Sequence, residues 1–203
     1  MNLFHGAMAD SFGRRPVVLW GLAVFTLASA GCALSQNITQ LVLFRALQGL
    51  STGAGIVVSR AVVRDLFPPA QAQRVMAQIT IFFGIAPALA PVMGGWLFIH
   101  LGWAAVFWFL TLVGVLLWGI NWRFLPESLP QTQRQPFRFK PLMHGYKELC
   151  SDPRFVLLAF ASGVPFNGMF LYVLSAPAFL GDLLHLQPQQ FFWFFVISIS
   201  GIM

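Results

Sequence analysis

Long apolar stretches separated by short polar segments run along almost the whole chain. A helix that crosses the hydrocarbon core of a bilayer needs about 20 predominantly apolar residues. Five stretches have that character and are predicted to span a membrane: residues 16–34, 41–58, 75–99, 103–125 and 155–179. Residues 191–203 form a sixth apolar stretch, which falls short of a spanning length. The pattern predicts an all-α polytopic membrane protein.

Three polar segments separate the first four spans. Residues 35–40, 60–74 and 100–102 are predicted as loops, and Pro68-Pro69 marks a helix stop within the second of them.

Composition and charge agree with a membrane protein and orient it. Hydrophobic residues make up 58% of the 203 residues and charged residues 9%, whereas soluble domains average roughly 45–50% and ~25%. Eleven of the 12 Lys and Arg residues lie in or beside segments 1–15, 60–74 and 126–154. Cytoplasmic loops carry the excess of basic residues, so these three segments are predicted to be cytoplasmic.

The net charge of +6 does not indicate a nucleic-acid partner, because the basic residues are spread over several loops without a compact patch. The lipid bilayer is the predicted surrounding. Cys32 lies in an apolar run and Cys150 in a basic loop, a pattern that indicates neither a disulfide framework nor a metal site.

The segment 126–154 is the one sizeable extramembrane piece between predicted spans. Its first part, 126–136, is polar and flanked by prolines, which favours a flexible linker. Leu142, Tyr146 and Leu149 then recur at helical spacing, which favours a short amphipathic helix on the membrane surface. A poorly ordered tether is the alternative.

The opening stretch combines an acid, a glycine and an arginine pair at Gly6, Asp10, Gly13, Arg14 and Arg15. We predict a tight turn directly before the first span, with Gly13 adopting a positive φ at little steric cost. Asp10 and Arg14 can form an ion pair if this segment is helical. An ordinary solvated turn is the alternative interpretation.

Arg45 is the twelfth basic residue and lies inside the second predicted span. Helical spacing places Gln48, Gly49 and Thr52 on the same face, which predicts the wall of a cavity. An arginine within the membrane normally faces a cavity or a polar partner. The alternative is that its side chain extends to the nearby interface.

The third predicted span contains small residues and two prolines. The residues concerned are Gly84, Ala86, Pro87, Ala90, Pro91, Gly94 and Gly95. Small residues four apart permit close helix packing, and each proline removes an intrahelical hydrogen bond and bends the helix. The pattern favours a bent helix at a moving interface, with simple tight packing as the alternative.

The fifth predicted span is rich in aromatic residues, and Asn167 is its only amide. Phe166, Asn167 and Phe170 are candidate substrate contacts, since a mostly apolar cavity with a few polar groups suits small amphipathic ligands. Lipid-facing packing is the alternative for the phenylalanines. All six acidic residues are placed in loops: Asp10, Asp65, Glu127, Glu148, Asp152 and Asp182.

Three of these motifs resemble those of major facilitator superfamily transporters. The stretch from Gly6 to Arg15 is similar to the loop between the second and third helices of that superfamily. Arg45-x-x-Gln48-Gly49 resembles the fourth-helix motif of its proton-coupled antiporters, and Gly84 to Gly95 resembles the fifth-helix antiporter motif, with Ala86 and Ala90 in place of glycines. Residues 107–109, 125–129 and 162–177 add a similarity to the bicyclomycin/chloramphenicol-resistance (Bcr/CflA) branch.

The resemblance implies twelve helices in two six-helix halves that alternate access to a central site. It also implies export of small amphipathic drugs from bacteria across the inner membrane, with protons as the coupling ion, a proton gradient as the energy source and no bound cofactor. This chain would hold helices three to seven and part of eight. Residues 1–125 would belong to the N-terminal half, 126–154 would be the loop between the halves, and 155–203 would begin the C-terminal half.

The missing helices of a parent transporter would then be the chain's necessary partners. We therefore expect the 203-residue chain to insert into a membrane without conferring drug resistance by itself. A carrier of another small solute, such as a sugar or metabolite, and a non-transporting remnant or subunit remain as alternatives. No H-E-x-x-H motif, nucleophile elbow or phosphate-binding loop is present, so neither an enzyme nor a catalytic residue is predicted.

Overall fold

The structure, a computed structural model, describes residues 2–137 and 139–179. Within these residues the chain forms seven α-helices, one 3-10 turn and no β-strand, which confirms the all-α class. The helices are α1 (Asn2–Phe12), α2 (Arg14–Ala33), α3 (Ile38–Leu66), α4 (Pro69–Leu101), α5 (Trp103–Phe124), α6 (Phe139–Ser151) and α7 (Pro153–Ala178), with the 3-10 turn at Gln131–Gln133.

Three helices of the described part are long and apolar enough to cross a membrane, namely α2, α3 and α5. Large apolar side chains on their outer faces are exposed, and Leu27 at 72% and Leu112 at 58% are examples. Such surfaces suit hydrocarbon rather than water. The predicted span 75–99 lies within α4, and 155–179 lies within α7 except for its last residue; both stay predictions as membrane spans. Residues 191–203 lie outside the described residues.

The predicted loop over residues 60–74 is wrong, because most of it is helical. Helix α3 continues to Leu66, and the interruption before α4 is confined to Phe67 and Pro68. Charged residues such as Arg60 and Arg64 end a membrane span without ending a helix, since the backbone hydrogen bonds continue beyond the apolar region. Pro68 disfavours the helical conformation at Phe67, and Pro69 suits the first turn of α4.

The predicted loop over residues 1–15 is also wrong, because α1 occupies Asn2–Phe12. The chain breaks only at Gly13, whose φ of 104° no helix accommodates. The Gly13 amide still donates to the Ala9 carbonyl oxygen at 3.1 Å, so α1 is capped at the break. The acids Asp10, Asp65 and Glu148 are consequently helical rather than loop residues.

Helix α2 packs against both α3 and α5. A Cβ atom at Gly21 would lie 2.6 Å from the Ala54 Cβ of α3, so the two backbones approach closely at this glycine. Gly114 of α5 lies against Thr26 of α2 in the same way. A small apolar core joins α1, α2 and α3 through Ala9, Val17, Ala54, Val58 and Val62.

The chain divides into two compact units, Met1–Ala86 with Met93–Phe137, and Pro87–Val92 with Arg138–Met203. In the second unit α6 packs against α7. The helix predicted around Leu142, Tyr146 and Leu149 is confirmed by α6, and the alternative of a poorly ordered tether is wrong. In the first unit the segment after α5 is bonded to the helices before it, for instance from the Gln135 amide to the Asp10 carbonyl oxygen at 3.1 Å. That segment is therefore not the free linker predicted for 126–136.

The close approach at Gly21 can be tested by Gly21→Ala, with Gly119→Ala as the matched control. An added Cβ at Gly119 meets no atom within 4 Å, whereas at Gly21 it overlaps α3. Overpacking costs about 1–3 kcal/mol, so we expect Gly21→Ala to lower the thermal unfolding midpoint in detergent and Gly119→Ala to leave it unchanged or raise it. Equal midpoints for the two variants would contradict the packing described.

Candidate functional site

Two groups of polar residues in the first compact unit are candidate functional elements. The first, at the junction of α1 and α2, is called the charge cluster and comprises Asp10, Arg14, Asp65, Glu127, Ser128 and Arg134. The second, on one face of α3, is called the polar stripe and comprises Arg45, Gln48, Gly49 and Thr52.

The Arg14 side chain lies between two carboxylates. Its Nη1 donates to Asp10 Oδ1, one turn earlier across the Gly13 break, and its Nε donates to Asp65 Oδ2 at 3.2 Å. Arg14 is only 9% exposed, and both carboxylates are nearer to solvent than the guanidinium they hold. Since Asp65 lies in the last turn of α3, the arginine joins α1 and α2 to the end of α3.

Glu127, which follows α5, takes the place of a capping residue at the start of α2. Its Oε1 accepts from the backbone amides of Arg14 at 2.9 Å and Leu129 at 3.1 Å. The first amides of a helix have no intrahelical acceptor, and the positive end of the helix dipole favours a carboxylate there. Gly13 has no side chain to cap the helix, so the acceptor comes from the distant Glu127.

The segment after α5 makes two further side-chain contacts with this cluster. Ser128 Oγ donates to Asp65 Oδ2 at 3.0 Å, and Arg134 Nη2 lies 3.5 Å from Glu127 Oε2. A Cβ at Gly13 would collide with the Glu127 carboxylate and the Arg134 guanidinium. Position 13 therefore requires glycine for its positive φ and for the space that these side chains occupy.

Of the five residues predicted to act together in the opening stretch, the structure brings three together and places two elsewhere. Asp10, Gly13 and Arg14 lie in the charge cluster, and the predicted Asp10–Arg14 pair is present. Arg15 points elsewhere and donates from Nη2 to the Trp122 carbonyl oxygen at 2.6 Å. Gly6 lies earlier on α1, where an added Cβ would be 3.7 Å from Val57.

Sequence reasoning missed four members of the charge cluster: Asp65, Glu127, Ser128 and Arg134. Asp65, Glu127 and Ser128 lie near span ends that the charge distribution places on one membrane face, and Arg134 lies in the segment on that same face. That shared face was the available signal, since acids on the same side as a buried arginine are its natural partners. Assigning every acid to a loop obscured it.

The polar stripe is connected to α2 by a line of hydrogen bonds. Arg45 Nη1 donates to Gln48 Oε1 at 2.7 Å, and Gln48 Nε2 donates to Ser29 Oγ of α2 at 2.7 Å. Gln48 is 3% exposed and Ser29 is fully buried. Ser29 Oγ also donates to the Phe25 carbonyl oxygen at 2.7 Å, so each buried polar group of this line has a partner.

All four residues of the polar stripe line one cavity of about 280 Å³, as predicted, together with Phe25 and Leu110. The Arg45 guanidinium also lies 5.9 Å from the centroid of the Phe107 ring, within the range of a cation–π contact. Helix α3 begins at Ile38, so Arg45 lies about 10 Å along it. Gln48 lies further along α3 than Arg45, so the hydrogen bond between them directs the guanidinium away from the start of the helix at Ile38. This direction favours the interpretation that Arg45 faces the cavity over the alternative that its side chain extends to the membrane interface.

The other predicted motifs are only partly described. Helix α4 is continuous through Pro87 and Pro91, and an added Cβ at Gly94 or Gly95 would meet no atom within 4 Å. The side-chain surroundings of Gly84, Pro87 and Pro91 lie outside the described residues, as do the side chains of Phe166 and Phe170. Asn167 is exposed and donates from Nδ2 to the Gly163 carbonyl oxygen of its own helix at 3.0 Å.

Comparison with known proteins gives one consistent family. The profile described as Major Facilitator Superfamily matches residues 1–203. The chain is 30% identical to the bicyclomycin resistance protein homolog of Haemophilus influenzae over 198 residues, which cover 98% of this chain and 50% of that protein. It is 34% identical to the uncharacterized MFS-type transporter YdgK of Bacillus subtilis over 206 residues, with 98% and 51% covered.

A third relative and one solved structure agree. Multidrug resistance protein D of Escherichia coli is 30% identical over 205 residues, with 98% of this chain and 50% of that protein covered. The crystal structure of the human organic anion transporter MFSD10 (TETRAN) matches with a TM-score of 0.73 and 25% identity, over 98% of this chain and 50% of that one. The chain thus spans about half the length of the curated relatives it matches.

Replacing Glu127 tests whether it holds the segment after α5 in place. Glu127→Ala removes the acceptor of two backbone amides and the partner of Arg134. Leaving one such buried donor unsatisfied costs about 1–3 kcal/mol, so opening of this segment should rise at least about fivefold. We expect faster trypsin cleavage after Arg134, measured by mass spectrometry of the fragments.

Glu148→Ala is the control for this measurement, because it removes a carboxylate from the exposed surface of α6. Its cleavage after Arg134 should match that of the unaltered protein. Equal acceleration in both variants, or in neither, would show that Glu127 does not hold the segment.

Proposed function

The chain belongs to the Major Facilitator Superfamily, whose members are membrane transporters, and from that premise we propose that it forms part of a proton-coupled exporter of small amphipathic drugs. The names of two relatives, a bicyclomycin resistance protein homolog and multidrug resistance protein D, support export of drugs. The bacterial origin of these relatives supports a bacterial inner membrane as the location.

One observation carries this proposal, the fixed cation of Arg45 beside a cavity within a membrane span. An arginine near mid-membrane costs roughly 2.5–3.5 kcal/mol on insertion scales. Arg45 lies about 10 Å along α3. There Gln48, itself bonded to Ser29, accepts from its guanidinium and the Phe107 ring lies beside it, so the charge has a defined position. A fixed cation favours the ionised form of any carboxylate brought near it.

That preference is a physical basis for proton coupling. A carboxylate that approaches Arg45 in one state of the transport cycle loses its proton, and one that moves away regains it. Within the described residues Arg45 pairs with no acidic side chain, so the proposal assigns the titrating carboxylate to a part of the transporter other than these residues. Gln48, Gly49 and Thr52 would complete the cavity wall on this side.

The charge cluster serves as the conformational gate in this proposal. It holds the ends of α1, α2 and α3 and the segment after α5 together. A packed interface held by ion pairs and hydrogen bonds has two discrete states, one with these contacts formed and one with them broken. The distribution of basic residues supports a cytoplasmic position for this gate.

Transport of a small organic anion is the second candidate. The cavity of the polar stripe has one charged side chain, the cation Arg45, which suits an anionic solute. The solved structure that matches this chain is titled as an organic anion transporter. Uptake or release of an anionic metabolite, without any change in drug susceptibility, would favour this candidate over drug export.

The first functional test uses the 203-residue chain alone in drug-hypersusceptible bacteria. We expect the chain to be recovered in the membrane fraction and inhibitory drug concentrations to stay within about twofold, because an alternating-access site forms between two halves. Gradient-dependent efflux from vesicles containing this chain alone would overturn that expectation. A transporter extended by the missing helices is the positive control.

The role of Arg45 is tested in that extended transporter by Arg45→Gln, with Arg74→Gln as the matched control on the exposed surface of α4. The substitution removes the cation that favours the ionised form of the approaching carboxylate, so proton-driven efflux of an amphipathic dye should fall by at least about tenfold. Arg74→Gln should retain the original rate. Unchanged efflux in Arg45→Gln, with normal amounts in the membrane, would contradict the role given to Arg45.

A further inference from the structure

A groove of about 650 Å³ lies between α2, α5 and the segment after α5, apart from the polar stripe. It is called the α2–α5 groove here, and it is lined among others by Arg15, Trp20, Ala23, Trp118, Trp122 and Arg134. Its cations are at one end and its apolar residues extend along both helices. It shares Glu127 and Arg134 with the charge cluster, but its aromatic and apolar residues on α2 and α5 belong neither to that cluster nor to the polar stripe.

We propose that the α2–α5 groove binds one anionic phospholipid, with the lipid phosphate between Arg15 and Arg134 and an acyl chain along α2 and α5. The inference needs α2 and α5 to span the bilayer, which their length and composition allow. It does not depend on what the protein transports.

Two hydrogen-bond donors at the polar end of the groove lack an acceptor among the described residues. Within the described chain, the Nε atoms of Arg15 and Arg134 are buried without a hydrogen-bond partner. Buried donors without acceptors are rare in native structures because they are unfavourable. A phosphate supplies several acceptor oxygens, and its geometry matches the paired donors of a guanidinium.

The charge at this end is positive overall. Glu127 also lines the groove, but its carboxylate already accepts from the Arg14 and Leu129 amides and faces Arg134. Two guanidinium groups thus stand against one carboxylate that is already satisfied. The end of the groove is complementary to an anionic rather than a neutral headgroup.

The apolar part of the groove is as long as one leaflet. A second hollow of about 240 Å³, lined by Ala23, Thr26, Leu27, Val115 and Trp118, shares Ala23 and Trp118 with the first. The two hollows therefore lie next to each other along α2. From Arg15 to Leu27 the helix rises by about 18 Å, and half of a bilayer's hydrocarbon core is about 15 Å thick.

Tryptophans mark the boundary between the polar and apolar parts. The rings of Trp118 and Trp122 stack with centroids 5.9 Å apart, and Trp20 is 73% exposed on the facing side of α2. Tryptophan is enriched at the level of lipid headgroups, where its ring meets both hydrocarbon and polar groups. The order of arginine, tryptophan and apolar residue along the groove follows the order of phosphate, glycerol and acyl chain in a phospholipid.

Native mass spectrometry of the purified protein tests this with phosphatidylglycerol, phosphatidylcholine and phosphatidylethanolamine that have identical acyl chains. Each arginine near an anionic lipid contributes about a fivefold gain in binding. We expect one phosphatidylglycerol to be retained, with at least about fivefold tighter binding than phosphatidylcholine. In Arg134→Gln the ratio of phosphatidylglycerol affinity to phosphatidylcholine affinity should fall about fivefold, whereas in Arg154→Gln on α7 it should stay unchanged.

A second measurement locates the lipid without depending on Arg134. Phosphatidylglycerol brominated on its acyl chains should quench the tryptophan fluorescence of the unaltered protein, and Trp118→Phe should reduce the quenched fraction. Three results would overturn the proposal: equal binding of phosphatidylglycerol and phosphatidylcholine, tighter binding of phosphatidylethanolamine than of phosphatidylglycerol, or the same loss in Arg154→Gln as in Arg134→Gln.

Discussion

The first compact unit depends on how one buried arginine is satisfied. Arg14 donates from its side chain to Asp10 and Asp65, and its backbone amide donates to Glu127. A buried guanidinium without partners is strongly destabilising, so Asp10 and Asp65 must both be in place, and Glu127 is needed separately as the acceptor for the first amide of α2. They belong to α1, to the end of α3 and to the segment after α5. Satisfying a single residue at the start of α2 thus fixes the relative positions of four elements.

Packing between the membrane helices depends on small residues and polar contacts rather than on the hydrophobic effect. Lipid tails are as apolar as leucine, so helices in a bilayer associate through close packing and interhelical hydrogen bonds. Gly21 and Ala54 permit the close approach of α2 and α3, and the Gln48–Ser29 bond joins the same pair. That bond also orients the partner of Arg45, so one contact contributes both to helix packing and to the cavity.

Much of the fold and part of the candidate site could be predicted from the sequence. The periodicity of apolar residues and the need for a spanning length located α2, α3 and α5, and helical spacing placed all four residues of the polar stripe on one cavity wall. Helix ends outside the apolar stretches were wrong at residues 1–15 and 60–74. There the limit is physical, because hydropathy reports where lipid ends and says nothing of where backbone hydrogen bonding ends.

The sequence by itself determined the membrane class, the family motifs and the local relation of residues one helical turn apart, such as Asp10 with Arg14 and Arg45 with Gln48. Those follow from composition and from the fixed period of the helix. Only the tertiary structure decided that Glu127 caps α2 across 113 residues and that Arg15 and Arg134 share one groove. Such contacts depend on which helix ends lie close together in the folded protein, and the local periodicity of the sequence does not contain that information.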